Sequence, residues 1–345
     1  MKAVTMHAHG GPEVIRMEER PEPKPARGEA VVAVRAAGLN HLDLWVRNGR
    51  PGMRLRFPHI LGSDAAGVVA ETGEGVENFR AGDEVLINPG LSCGRCEACR
   101  RGEQSECEAF TIVGLGRPGT FAERVAVPAS ALRPKPAHLD WAEAAAVGVA
   151  HVTAWRMLMT RARLRPGETV LIHGIGGGVA LAGLQFAARL GAETIVTSSS
   201  DEKLARARRL GARHAINYRT EPDVAAKVRA LTAGRGVDVV LDAVGAATWP
   251  VNFQAVRRGG RIVLCGVTTG ASAETNLQAL YWHQITVLGS TAGSDEDFRL
   301  MLRHLAAAGI KPVLDKVFPL AEAPAAMARM ERGEQFGKIV LKVGA

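Results

Sequence analysis

The 345-residue chain is 47% hydrophobic and 23% charged, and 43 Lys and Arg against 35 Asp and Glu give a formal net charge of +8. A chain of this size and balance can bury a large core and divide into two globular domains, which excludes a disordered or fibrous polymer. The positive surplus is small for the length and comes with only 5% aromatics, so a nucleic-acid face is not indicated, and no apolar run is long enough to span a bilayer.

The N-terminus, Met1-Lys2-Ala3-Val4, reads as a first strand rather than a signal peptide. With reduced thiols expected further on, that reading places the protein in the cytoplasm, acting on a small molecule and not on nucleic acid or membrane.

Cys93, Cys96, Cys99 and Cys107 form the next signal, spaced C-x2-C-x2-C-x7-C. Short spacers let the chain fold back so that four thiolates reach the corners of one tetrahedron, the closed arrangement of a structural zinc site. A ferredoxin-like iron–sulfur pattern fits less well, because its last cysteine comes three residues on and precedes proline. Here Glu108 follows Cys107. A tetrathiolate zinc carries a net charge of about −2, which Arg95, Arg100 and Arg101 in the same loop would offset. A disulfide cluster or a thioredoxin-like redox pair are the other uses of such spacing.

An Arg165-Pro-Gly-Glu168 turn then starts a short apolar strand from Thr169 to His173. It runs into Gly174-Ile-Gly-Gly-Gly178, and Val179 to Leu190 reads as an apolar helix stopped by Gly191. Gly174, Gly176, Gly177, Gly178 and Val179 are the candidate dinucleotide contacts: glycines let the backbone approach a pyrophosphate, whose charge the free amides of the helix N-terminus hold. Further strands are predicted at Thr194 to Thr197, His214 to Asn217, Val237 to Asp242, Arg261 to Cys265 and Ile285 to Leu288, alternating with helices. The pattern predicts an α/β fold with a doubly wound parallel sheet, a Rossmann cofactor domain. Ala180 takes the place of the last glycine of G-x-G-x-x-G, a position that governs helix-to-strand packing.

No acid ends the second strand, where NAD-binding chains place a partner for the ribose 2′-hydroxyl. The segment is Thr197-Ser-Ser-Ser200. Ser199 and Glu202 read as a capping box at the next helix start, where hydroxyls and free amides would receive a 2′-phosphate and Lys203 would add charge. This favours NADP(H). Asp201 lies one or two residues late for the usual acceptor, so NAD(H) stays open.

The chain resembles the medium-chain dehydrogenase/reductase superfamily over nearly its whole length. Gly62-Ser-Asp-Ala-Ala-Gly67, Gly82-Asp-Glu-Val85, Thr153-Ala-Trp155, Leu241-Asp-Ala-Val-Gly245 and Gly337-Lys-Ile-Val340 carry the resemblance. It implies a GroES-like catalytic β-barrel with the zinc lobe at 1–135, the dinucleotide domain at 136–311 and a return to the barrel at 312–345. Zinc alcohol dehydrogenases of the superfamily hold a catalytic zinc through a cysteine, a His-Glu pair and a second cysteine. At those places this chain has Asn40, then Ser63 and Asp64, then Val149. Gly38-Leu-Asn-His-Leu-Asp43 is similar to the quinone oxidoreductase branch, which works without that metal, while His41, His59 and His151 are the candidates for an improvised site.

The resemblance therefore implies hydride transfer to a quinone or an α,β-unsaturated carbonyl. Asn40 would donate a hydrogen bond to the developing oxyanion, and Asp43 would orient Asn40 or meet the nicotinamide ribose; a structural turn is the other use of this pair. Thr153 would face the nicotinamide, Tyr218 and Lys203 the adenosine phosphate, Gly245 and Gly266 the ribose and adenine edges, and Lys338 the far end of the cofactor. Family members pair through the last strand of the cofactor sheet, which implies a homodimer or homotetramer. An alcohol dehydrogenase and a non-enzymatic NADPH-binding scaffold are the alternatives.

Overall fold

The first stretch of chain builds β1 (Lys2–Met6), β2 (Ile15–Glu19) and β3 (Glu29–Gly38), then helix α1 (His41–Asn48). Next come β4 (His59–Ile60), β5 (Asp64–Thr72), β6 (Glu84–Ile87), β7 (Gly90–Leu91), α2 (Glu97–Arg100) and β8 (Thr111–Ile112). Then follow β9 (Arg124–Pro128), β10 (Leu132–Pro134), α3 (Trp141–Ala145) and α4 (Gly148–Trp155). The structure, a computed structural model, describes residues 1–50 and 52–344.

The alternating α/β stretch comprises β11 (Thr169–Ile172), α5 (Gly178–Leu190), β12 (Glu193–Ser198), α6 (Asp201–Arg209), β13 (His214–Asn217), α7 (Val224–Leu231) and β14 (Val237–Asp242). It ends with α8 (Trp249–Ala255), β15 (Val256–Leu264), α9 (Leu277–Trp282) and β16 (Thr286–Gly289). The chain closes with α10 (Asp295–Ala308), β17 (Leu314–Pro319), α11 (Ala323–Glu331) and β18 (Lys338–Lys342).

Residues 1–150 and 294–345 form one compact unit. Its main sheet runs β10-β6-β5-β3-β18-β17, with β9 also on β3, and a smaller sheet runs β2-β1-β4. Strand β3 is rich in valine and alanine and is buried on both faces over much of its length. Val32, Val34, Val85, Ile87, Phe121, Ile339 and Leu341 share its core. The last strand matters most for function. β18 pairs antiparallel with β3, Val340 opposite Gly38, and continuing that register by two residues brings Lys338 opposite Asn40.

Residues 151–293 form the other unit. Its six strands are parallel in the order β13-β12-β11-β14-β15-β16, which is 3-2-1-4-5-6 in the order the chain makes them. β11 and β14 are wholly buried and apolar but for Thr169, Asp238 and Asp242, as strands covered on both faces by helices must be. This is the doubly wound sheet predicted from the alternating pattern. The fifth strand begins earlier, at Val256, and the sixth covers Thr286–Gly289.

The units divide at 150/151 and 293/294, not at 135/136 and 311/312. Helix α3 stays with the first unit because Gly38 lets it pack onto β3: a Cβ there would lie 2.4 Å from the Ala145 carbonyl. Helix α10 stays there because Asp295 accepts from Asn88 Nδ2 at 2.9 Å and its N–H donates to Gln104. Among the described residues, no helix is long and apolar enough to cross a membrane.

Candidate active site

Asn40 is the N-cap of α1 and is buried, with 7% of its surface exposed. Lys338 Nζ lies 2.5 Å from Asn40 Oδ1 and 3.1 Å from Asp64 Oδ2, and it also donates to the Leu39 carbonyl. An ammonium only donates, so the amide oxygen is the end that faces it and the NH2 faces away. Asn40 Nδ2 is buried with no hydrogen-bond partner, and so is Ser63 Oγ. Two polar groups buried without partners are costly in a folded chain and mark a place where a ligand's polar atom is awaited.

Asp64 is the hub. It is fully buried, and its Oδ1 accepts the Val149 N–H at 2.7 Å while Oδ2 takes Lys338. Gly148 is required beside it, since a Cβ there would fall 2.1 Å from Asp64 Oδ1. The positions that hold a catalytic zinc elsewhere thus offer an amide, a hydroxyl, a carboxylate bonded on both oxygens, and a backbone donor, with an ammonium among them. That donor set does not fit a zinc ion, which needs three protein ligands and no cation in contact. The histidines do not supply one: His59 Nε2 is bonded to the Gly114 carbonyl at 2.9 Å, and among the described residues only the four lobe cysteines gather with ligand spacing. Lys338 is neither solvated nor free to extend along a cofactor, because all three of its protons have acceptors within this unit.

Asp43 Oδ2 accepts the Asn40 backbone N–H at 2.7 Å, which fixes the start of α1. Burial, with Asp64 nearby, pushes its carboxyl up from 3.8 to about 7, against the pull of the Asn40 amide and Lys338. A carboxyl with a raised native pKa contributes stability that is fully present below pH 3.8 and lost as pH rises to about 7. Asp43→Asn is therefore expected to flatten the fall in stability across that window. Denaturant melts of both proteins at several pH values check this; parallel curves would show that Asp43 does not titrate there.

At the carboxyl end of the parallel sheet, Gly174 and Gly176 adopt φ +68° and +118°, conformations that favour glycine, and Gly177 caps α5, which begins at Gly178-Val179. Backbone amides left free at that helix start suit a pyrophosphate, so the residues fit a dinucleotide. The helix after β12 is capped by Ser200, which accepts the Lys203 N–H at 3.3 Å; the cap is not Ser199. Asp201 Oδ1 is taken by Asn217 Nδ2 at 2.8 Å. Ser198 pairs with Asn217 across β12 and β13, which brings exposed Tyr218 to the same end as Ser199 and Ser200. Thr153 is buried in α4. Gly245 and Gly266 have backbone reasons to be glycine: a Cβ at Gly245, where φ is +94°, would lie 2.9 Å from Val267 Cα, and one at Gly266 would lie 2.7 Å from the Ala243 carbonyl. Asp242 folds that turn by accepting the N–H groups of Val244 and Gly245.

In the lobe, the sulfurs of Cys93, Cys96, Cys99 and Cys107 lie within 4.8 Å of one another, and none of the chain's five cysteines is in a disulfide. Cys93 and Cys99 are 3.9 Å apart. A tetrahedron with Zn–S bonds of about 2.3 Å has sulfur–sulfur edges of about 3.8 Å, so the four thiols fit zinc. The amides of Cys96 and Cys99 donate to Cys93 and Cys96 sulfurs, which favours thiolates. Arg101 is engaged by Glu97 and Glu106 rather than left for the cluster's charge.

A family model described as an alcohol dehydrogenase GroES-like domain matches residues 26–137, and one described as a zinc-binding dehydrogenase matches residues 178–307. A curated NAD-dependent alcohol dehydrogenase from Sulfolobus acidocaldarius is 34% identical over 99% of this chain and 100% of its own length. A crotonyl-CoA carboxylase/reductase from Cereibacter sphaeroides is 30% identical, covering 96% of this chain and 84% of that protein. A crystal structure of an NAD-dependent alcohol dehydrogenase superposes with a TM-score of 0.95 at 43% identity, covering all of both chains.

Proposed function

The chain belongs to the medium-chain dehydrogenase/reductase superfamily as an NAD(P)-dependent oxidoreductase, and from that premise we propose that it reduces α,β-unsaturated carbonyls or quinones without a catalytic zinc. The observation that carries this reading is the buried, unpartnered NH2 of Asn40, whose amide oxygen Lys338 holds, where zinc-dependent relatives place a ligand. An alkoxide from a simple alcohol has a pKa far above neutral and needs a Lewis acid, whereas an enolate or hydroquinone oxygen needs only hydrogen-bond donors. The crotonyl-CoA reductase among the relatives is named for a conjugated thioester, the same electronic class.

A dihydronicotinamide, when bound, would supply a hydride; the acceptor would take it at its β-carbon while electron density from its C=C bond shifts onto the carbonyl oxygen. Asn40 Nδ2 donates to that oxygen as its charge grows. Asp43 holds the Asn40 main chain, and Lys338 holds its amide oxygen. Water supplies the proton that the α-carbon takes. Gly174, Gly176, Gly177, Gly178 and Val179 hold the pyrophosphate, and Thr153 meets the nicotinamide. NADPH oxidation assayed against enone, quinone, saturated aldehyde and alcohol panels tests the reading, which fails if only alcohols and aldehydes turn over.

NADPH is the proposed cofactor. Ser199, Ser200, Lys203 and Tyr218 lie at the strand end or in the first turn beyond it, and of the two acids there, Asp201 and Glu202, Asp201 accepts from Asn217 through Oδ1. Lys203→Ala is expected to weaken NADPH about tenfold and leave NADH unchanged. Fluorescence titration with both cofactors decides this; equal affinities in the unmodified protein would remove the basis for the choice. A second copy of the chain is proposed along β16, an edge strand with Val287 exposed, and the preceding α9 exposes Leu277, Tyr281 and Trp282.

A further inference from the structure

We propose that Lys338 stands in for the charge of a metal in this site: it is a positioning residue that locks the Asn40 amide with its NH2 turned toward the substrate oxygen and strengthens that NH2 as a donor. The inference rests on the reading that Asn40 receives the oxyanion.

Three observations carry it. First, the two ends of a primary amide are nearly the same size, so packing alone does not decide which end faces the substrate. The ammonium decides it, because only the oxygen can accept from Lys338. Second, the three protons of Lys338 meet three acceptors, the Leu39 carbonyl, Asn40 Oδ1 and Asp64 Oδ2, in a site where Lys338 is 4% exposed and Asp64 is 0% exposed. Lys338 has no proton left for a substrate, so it acts through Asn40. A cation donating to an amide oxygen draws density from the nitrogen and makes its N–H bonds more acidic, a cooperative gain of roughly 10–30% per bond in such chains. Third, the backbone is built to deliver this lysine. Gly337 has φ +116°, and a Cβ there would lie 2.3 Å from the Val313 carbonyl. The β18–β3 pairing, with Val340 opposite Gly38, then brings Lys338 within reach of Asn40. On the far side, Gly148 and the Val149 N–H seat the Asp64 carboxylate that balances the charge.

The result is a line of contacts, Asp64 to Lys338 to Asn40, ending on an unpartnered donor. Lys338 is thereby withdrawn from the cofactor role that the family resemblance implied for it.

Lys338→Met alone would strand the Asp64 carboxylate, so the test uses Lys338→Met/Asp64→Asn, which removes both charges together. Four proteins are compared: unmodified, Asn40→Ala, Lys338→Met/Asp64→Asn, and all three changes combined. Expected are a roughly 10- to 100-fold loss of kcat on an enone in the charge-free variant with NADPH affinity unchanged, and no further loss in the combined protein beyond Asn40→Ala. A second readout needs no turnover: the side-chain NH2 resonance of Asn40, identified by its absence from the Asn40→Ala spectrum, should move in the charge-free variant. Multiplying losses, weakened NADPH binding or an unmoved Asn40 resonance would overturn the proposal. Should Asn40→Ala itself retain full turnover, the reading of Asn40 fails; should Asn40→Ala lose activity while the charge-free variant keeps it, only the role of Lys338 fails.

Discussion

Replacing Asn40 with alanine is expected to lower turnover on an enone or quinone about 10²-fold while NADPH affinity hardly changes. A donor that meets the oxygen only as it becomes negative contributes to the transition state and not to ground-state binding. Alanine also removes an acceptor from buried Lys338, at roughly 1–3 kcal/mol of stability, so stability loss alone would not distinguish chemistry from folding. Asn40→Asp separates them. Aspartate caps helices as well as asparagine, and it keeps an acceptor for Lys338. It lacks the NH2 and would oppose an oxyanion with a like charge. The variant should therefore fold normally and be the less active of the two. If Asn40 served only the turn at the start of α1, Asn40→Asp would retain near-normal turnover, and thermal unfolding beside kcat would reveal it.

The second large effect belongs to the lobe. Fully loaded protein is expected to carry one zinc per chain, on Cys93, Cys96, Cys99 and Cys107. The lobe's regular structure is short: the two-residue strands β7 and β8, the four-residue α2 and a 3-10 turn at Gln104–Glu106. Binding energy of a structural zinc in small peptides reaches about 10–16 kcal/mol, much of it folding energy. Stripping the metal, or Cys107→Ser, should therefore open residues near 93–107 to protease and lower Tm sharply, while NADPH binding by the separate α/β unit persists. Two zincs per chain would contradict the donor-set argument at Asn40, Ser63, Asp64 and Val149.

Much of the fold was legible in the chain because its signals are local. The alternation of short apolar strands with helices fixes a parallel sheet, and two of its strands, His214–Asn217 and Val237–Asp242, begin and end where the sequence places them. The cysteine spacing is legible for the same reason, since a metal's geometry limits the spacers. What stayed hidden depends on contacts between distant residues. The division at Ala150 follows from the approach of Ala145 to Gly38, and nothing near Lys135 or Lys311 records it. The cap at Ser200 in place of Ser199 is a one-residue shift among three consecutive serines, all competent to cap. Lys338 as the partner of Asn40 is hidden because 298 residues separate the two. The closing Gly337-Lys-Ile-Val340 motif was visible, but the side to which its lysine turns is set by the β18–β3 register.

If a buried amide, and not a metal, stabilises the negative charge, good substrates are restricted to acceptors that delocalise it. The most direct measurement is the ratio of kcat/KM for an enone to that for the saturated ketone of the same length, taken with NADPH on protein of measured zinc content. A ratio of about 10² or more is expected at one zinc per chain, since only the conjugated acceptor yields an enolate. A ratio near one, or efficient oxidation of primary alcohols by the same preparation, would contradict it.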